Sequence, residues 1–202
     1  MARRPDRPSH RGEPPYGRRP PLVDAGRRLL AICGGERTEN EYLKGLARQV
    51  GFRGLRVVPQ KKGKGKDPAD VVNQALQRSS TGKPFDEVWC VLDKDDFGLA
   101  AAIKRSSQTG IRLAVSNPSF ELWLLLHLKD CGAELTQAEA LERLRKCLPN
   151  YDKARLKFDD FASRVDEAIR RGRRLSDTTG LGPNPSSGMW KLAETIMGEV
   201  RK

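Results

Sequence analysis

The stretch "RLLAICGGERTENEYLKGLARQV", residues 28–50, sets the fold class. An almost wholly apolar run ends at Cys33 on two glycines, and an acidic, polar turn opens a segment with helical periodicity. Short apolar runs bounded by turn residues are buried strands, and this one leads straight into a helix. The same unit recurs downstream. Strands are expected at "RLLAIC" (28–33), "LRVVPQ" (55–60), "EVWCVLD" (87–93) and "IRLAVSN" (111–117). Helices are expected over residues 38–50, 67–79, 97–108 and in "PSFELWLLLHL" (118–128). Strands alternating with helices make a parallel sheet covered on both faces. The expected architecture is therefore α/β, with four parallel strands. Beyond about Thr136 only helices are expected, over 136–147, 158–173 and 186–200.

Three junctions carry helix-start signals. Thr38 and Glu41 have capping-box spacing. Asp67-Pro68 and Asn117-Pro118 each put a capping side chain before a proline at the first helical position. The expected division is an Arg/Pro-rich basic arm over 1–25, an α/β core over 26–130, and a helical C-terminal region over 131–202 packed on that core. The arm lacks the apolar surface needed to offset its ordering entropy, so a flexible segment is expected there.

The chain has 202 residues and a net charge of +12, with a pI near 9.9. That excess points first to nucleic acid and second to an anionic membrane surface. The longest apolar stretch, "LWLLLHL", is far short of the roughly 20 residues of a spanning helix. The arm has no apolar signal region, and none of Cys33, Cys90, Cys131 and Cys147 forms a C-x-x-C pair. A reducing cytoplasm is the expected location, with no membrane partner. His127, among leucines, reads as a satisfied core histidine, and Trp89 and Trp123 as core. With only His10 and His127 present, no Ser/His/Asp or Cys/His set is formed.

Ligands of open parallel sheets bind beyond the carboxyl ends of the strands. There the sequence places Gly34-Gly35-Glu36-Arg37, then "KKGKGK" (61–66), then Asp93-Lys94-Asp95-Asp96, then Ser116-Asn117-Pro118. In extended backbone, Asp93 and Asp95 point to the same side. Two close carboxylates repel unless a cation lies between them, and Mg2+ takes such oxygen ligands. Acids after a strand also make turns and caps, so D-x-D alone does not decide. Glu36 is a third acid able to hold metal or accept a proton; it also suits a helix N-terminus, the reading preferred for Glu39 and Glu41. Glu121, in the first turn of the fourth helix, is a further candidate. Lys61, Lys62, Lys64 and Lys66 would neutralise phosphates from a glycine-loosened loop; the loop is not a Walker A motif. Arg37 and Asn117 could orient phosphate. "RRGRR" (170–174) is either another phosphate contact or a favourable helix end.

Three segments together resemble the RloB-like family: "ICGGERTENEYL", "VWCVLDKDD" and "AVSNPSFELWLLLHL", with "NPSSGMWKLAETI" similar to its C-terminal segment. The resemblance runs from about Leu29 to the end. It implies a Toprim-like fold, in which a glutamate after the first strand and a D-x-D after the third hold Mg2+, with Mn2+ as a substitute. By position the D-x-D is Asp93 and Asp95. The family's glutamate–glycine–glutamate becomes Gly34-Gly35-Glu36, so the first acid is glycine here. Either Glu36 or Glu121 takes its role, or the site binds metal and cuts poorly or not at all. The resemblance also implies phage defence linked to restriction–modification loci, abortive infection, and an AAA-family ATPase partner. Two functions are therefore expected: a Mg2+-dependent nuclease with Glu36, Asp93, Asp95 and Glu121 in its site, or a catalytically degenerate nucleic-acid-binding or regulatory subunit of an ATPase-containing system.

Overall fold

In chain order the elements are β1 (Leu29–Cys33), α1 (Thr38–Val50), β2 (Leu55–Val58), α2 (Pro68–Ser79), β3 (Glu87–Asp93), α3 (Leu99–Thr109), β4 (Arg112–Asn117), α4 (Phe120–Leu128), α5 (Gln137–Cys147), α6 (Asp159–Ala162), α7 (Val165–Leu175), β5 (Ser186–Ser187) and α8 (Met189–Gly198). This is a computed structural model, and it describes residues 26–60, 67–94 and 98–199. The sheet has five strands in the order β2-β1-β3-β4-β5. The first four are parallel. The four-strand expectation is thus one short. β5 pairs antiparallel with β4, Ser187 opposite Ser116 and Ser186 opposite Asn117. Two serines carry no apolar signature, so this strand is invisible in the hydrophobic pattern.

Alternation along the strands divides the interior. Leu30, Ile32, Cys90, Leu92, Leu113 and Val115 pack with α2 and α3. Leu29, Ala31, Cys33, Trp89, Val91 and Ala114 share the other core with α1, α4 and the helices after α4. The C-terminal helices and the sheet are therefore built on one apolar cluster. α4 is buried from Phe120 to His127, as expected of a helix apolar all round; it is packed against β4, α5 and α7. His127 is satisfied inside this core. Its Nδ1–H donates to the Trp123 carbonyl at 3.0 Å, and its Nε2 accepts from the Tyr42 hydroxyl at 3.0 Å. Burial pushes its pKa down to about 3, so it stays neutral.

The helix starts differ in part from expectation. Asp67 caps α2 as read, its Oδ1 accepting from Ala69 N–H at 2.8 Å ahead of Pro68. Asp67→Ala should cost about 1 kcal/mol, measurable by urea denaturation. Thr38 makes no capping box; it is the first residue of α1, and its hydroxyl donates instead to the Lys153 carbonyl at 2.9 Å. Asn117 does not cap α4. It still belongs to β4, its Nδ2 donates to the Gly182 carbonyl at 3.0 Å, the Asn117–Pro118 peptide is cis, and the helix begins at Phe120. The helix expected over 158–173 is broken into α6 and α7, and that expected over 186–200 yields its first two residues to β5. No helix among the described residues is long and apolar enough to cross a membrane.

Candidate functional site

β2 lies on one side of β1 and β3 on the other, so the chain reverses its direction of winding between β1 and β3. Crevices form beyond the strand ends at such switch points. Here a cleft of about 630 Å3 is lined by residues 34–39, Pro68, Val71, Leu92, Asp93 and, from the loop between α5 and α6, residues 152–154. The sequence's two glycines answer different demands. Gly34 N–H donates to the Val91 carbonyl at 2.7 Å, which draws the turn against β3. A Cβ on Gly34 would lie 3.2 Å from the Val91 oxygen. A Cβ on Gly35 would lie 2.3 Å from both carboxylate oxygens of Glu39. Gly35 therefore makes room for an acid that the sequence reading assigned to the helix dipole.

Glu39 is only 7 % exposed. Burial pushes its carboxyl above the ordinary range, and the nearby Glu121 charge adds to this; its own backbone amide and Lys153 offset part of the rise. Glu121 shows the opposite balance. Burial pushes its carboxyl up, but Lys153, the Ser119 hydroxyl and the backbone amide outweigh that and hold it below the ordinary range. The Lys153 ammonium is 2.8 Å from Glu121 Oε1, and the Ser119 hydroxyl donates to Oε2 at 2.8 Å. Burial opposes the charge on Lys153, yet Glu121 raises its pKa, helped by Asp93 and Glu39. Lys153, from a distant loop, thus pairs with Glu121 of α4 and shares its cleft with Asp93 of β3 and Glu39 of α1. Burial and the Glu121 and Glu39 charges keep the Tyr151 hydroxyl protonated.

The donors are all oxygens, as a hard dication requires, and Gly35 leaves a cradle that any side chain would fill. Asp93, Glu39 and Glu121 are the residues suited to hold one. Among the described residues no three acids, histidines or cysteines are grouped so as to hold an ion. The donor chemistry fits, with Lys153 supplying the positive charge.

A family model described as RloB-like protein matches residues 29–196. The chain belongs to the RloB-like family. Neither the curated proteins nor the solved structures with which it was compared gave a match. The RloB-like span takes in β1 through most of α8, so the Lys153 loop and β5 lie inside it along with the sheet.

In this RloB-like chain the candidate residues of the sequence fall into four groups. Asp93, the last residue of β3, lines the cleft and Glu121 reaches its Lys153. Glu36 and Arg37 line the same cleft from exposed positions. Asn117 lines a neighbouring hollow with Lys94 and Asn184. Asp95 and Lys61, Lys62, Lys64 and Lys66 lie outside the described residues, as does the 1–25 arm. Sequence reading missed Glu39 and Lys153. The room at Gly35 was the one local signal for Glu39. Lys153 had none, since its position depends on how the α5–α6 loop docks.

Glu39→Gln should stabilise the protein by about 1 kcal/mol at neutral pH, because an amide costs less to bury than a carboxylate. The sign follows from linkage. A carboxyl whose folded pKa is raised weakens the fold above that pKa and recovers as pH falls toward the ordinary carboxylate range. The advantage of Glu39→Gln should therefore shrink in acid, as read from urea midpoints at pH 7 and pH 4.5. Glu121 works oppositely: its contribution is present above its ordinary pKa and fades as pH falls below it.

Proposed function

We propose that this chain is a metal-dependent nuclease on a Toprim-like scaffold, acting in phage defence. The observation that supports the reading is a cleft at the β1–β3 switch point lined by Asp93, Glu39 and Lys153, with Glu121 ion-paired to that Lys153. Mg2+ or Mn2+ would be held by these acids together with Asp95, and when bound it would polarise a phosphate and acidify a water. The chain's own residues supply the rest. Ser119 and Lys153 keep Glu121 ionised. Glu36, on the exposed rim of the same cleft, is suited to accept a proton from an attacking water. Arg37 on the rim and the lysine-rich loop would position the phosphate backbone, a contact that carries no base sequence.

A second reading is a degenerate scaffold that binds nucleic acid without cutting it, within an ATPase-containing system. The glycine at Gly34, where the family's acid is expected, favours it. Incubation with plasmid DNA and with RNA, each with Mg2+ and with Mn2+, separates the two. The nuclease reading expects metal-dependent cleavage by the chain alone or with an ATPase partner; binding without cleavage under either metal, partner included, sinks it. In both readings affinity should fall at least about tenfold between 50 and 200 mM salt, measured by fluorescence anisotropy.

A further inference from the structure

Lys153 is an unusual neighbour for a metal site. Its ammonium meets Glu121, whose side chain is 4 % exposed, while its own side chain is 61 % exposed. The acid is fixed inside the protein, whereas the stem that delivers the positive charge crosses open cleft. The backbone beneath that stem is anchored: the Thr38 hydroxyl donates to the Lys153 carbonyl, and Asp152 Oδ1 accepts from Ala154 N–H at 2.8 Å. The side chain can leave Glu121 without repacking the core, and the anchored loop keeps it beside the cleft when it does. Glu39, Asp93 and Glu121 carry about −3 when ionised; the ammonium offsets one of these charges, and a dication in its place would offset two.

We propose that Lys153 is a tethered counter-ion, whose ammonium pairs with Glu121 at the cleft that Glu39 and Asp93 line and must be displaced before a divalent ion binds there. This inference rests on the metal-site reading and adds to it a built-in competitor. Buried acids without a cation would repel one another and destabilise the site. Lys153 holds them ready in the metal-free protein, and it weakens metal affinity by competing for the same oxygens. Once displaced, the ammonium stands at the mouth of the cleft, where a phosphate would arrive. Polyanion binding would then draw Lys153 outward and favour metal entry, and by linkage metal would favour the polyanion.

The test reads Mn2+ binding directly, by electron paramagnetic resonance of free Mn2+ and by calorimetry, on the full chain as wild type, Lys153→Met and Lys153→Arg. Circular dichroism establishes that each variant is folded. Lys153→Met should bind Mn2+ at least about tenfold more tightly than wild type, and Lys153→Arg, which retains the charge, should not. A second measurement needs no variant. Acylation of wild-type lysines, followed by mass spectrometry, should show Lys153 becoming more reactive when Mn2+ is added, with exposed Lys146 as the internal reference. If Lys153→Met binds Mn2+ no more tightly than wild type, or Mn2+ leaves Lys153 acylation unchanged, the counter-ion role is overturned while the metal site stands. If neither wild type nor any variant binds Mn2+, the metal-site reading falls, and the counter-ion with it.

Discussion

Asp93→Asn should reduce metal-dependent cleavage by at least about 10^3-fold, roughly 4 kcal/mol of barrier, while leaving the fold and nucleic-acid affinity intact. Asp93 ends β3, where the pairing of the strand is still regular and its partner in β4 is Ser116. The amide is isosteric with the carboxylate, so the strand end need not move. What is lost is one negative charge in the cleft that Lys153 also lines, and with it the anionic oxygen that the proposed dication would need. The measurement is single-turnover cleavage of plasmid with Mg2+, compared with anisotropy on the same oligonucleotide. If the variant cuts at the wild-type rate, Asp93 is not part of the machinery and the site has been placed wrongly. Equal losses of cleavage and binding would instead assign Asp93 to positioning the nucleic acid.

Trp123→Ala should destabilise the whole chain by about 3–5 kcal/mol. Trp123 is fully buried in α4 and stands edge-on to Tyr42 of α1, with ring centroids 6.0 Å apart, and to His127 at 5.1 Å. On its far side a Cβ on Gly172 of α7 would come within 3.4 Å of the indole. One side chain therefore joins α1, α4 and α7. Domains of this kind are stable by only about 5–15 kcal/mol in total, so the loss is a large share. Urea denaturation should show a lower midpoint with one transition, coincident by near- and far-ultraviolet circular dichroism. Two separate transitions would show that the C-terminal helices unfold apart from the sheet, contrary to the shared core.

The parts of the fold that were legible in the sequence are those governed by local pattern. β3 lies at residues 87–93 as its apolar run predicts, and α1 at 38–50 as its periodicity predicts. Strands buried on both faces read as unbroken hydrophobic runs, and the turns between them are marked by glycine, proline and acids. The departures arise where distant segments compete for local groups. Thr38 has a capping-box partner three residues away, but the Lys153 carbonyl takes its hydroxyl. Asn117 precedes a proline, but pairing with Ser186 keeps it in the strand. β5 has no pattern to read because its pairing comes wholly from β4. The site followed the same division. Asp93 was legible because a strand end fixes its address. Glu39 was hidden because an acid in a first helical turn already has a sufficient local explanation, and Lys153 because nothing in "NYDKARLKF" connects it with α4.

The completion of the sheet by β5 bears on the order of events during synthesis. Beyond the pairing of the serines, Val115 N–H donates to the Thr179 carbonyl at 2.9 Å, and Gly188 N–H donates to the Val115 carbonyl at 2.8 Å. The outer edge of β4 is thus closed by the last quarter of the chain, and the loop bearing Lys153 is also translated after all four parallel strands. A nascent chain on the ribosome holds the acids of its first 121 residues before it possesses their counter-charge or the seal on that edge. A messenger truncated ahead of Ser186 would release a protein lacking the strand that pairs with Ser116 and Asn117 of β4, a route to strand addition by a neighbour that Ser186 and Ser187 close.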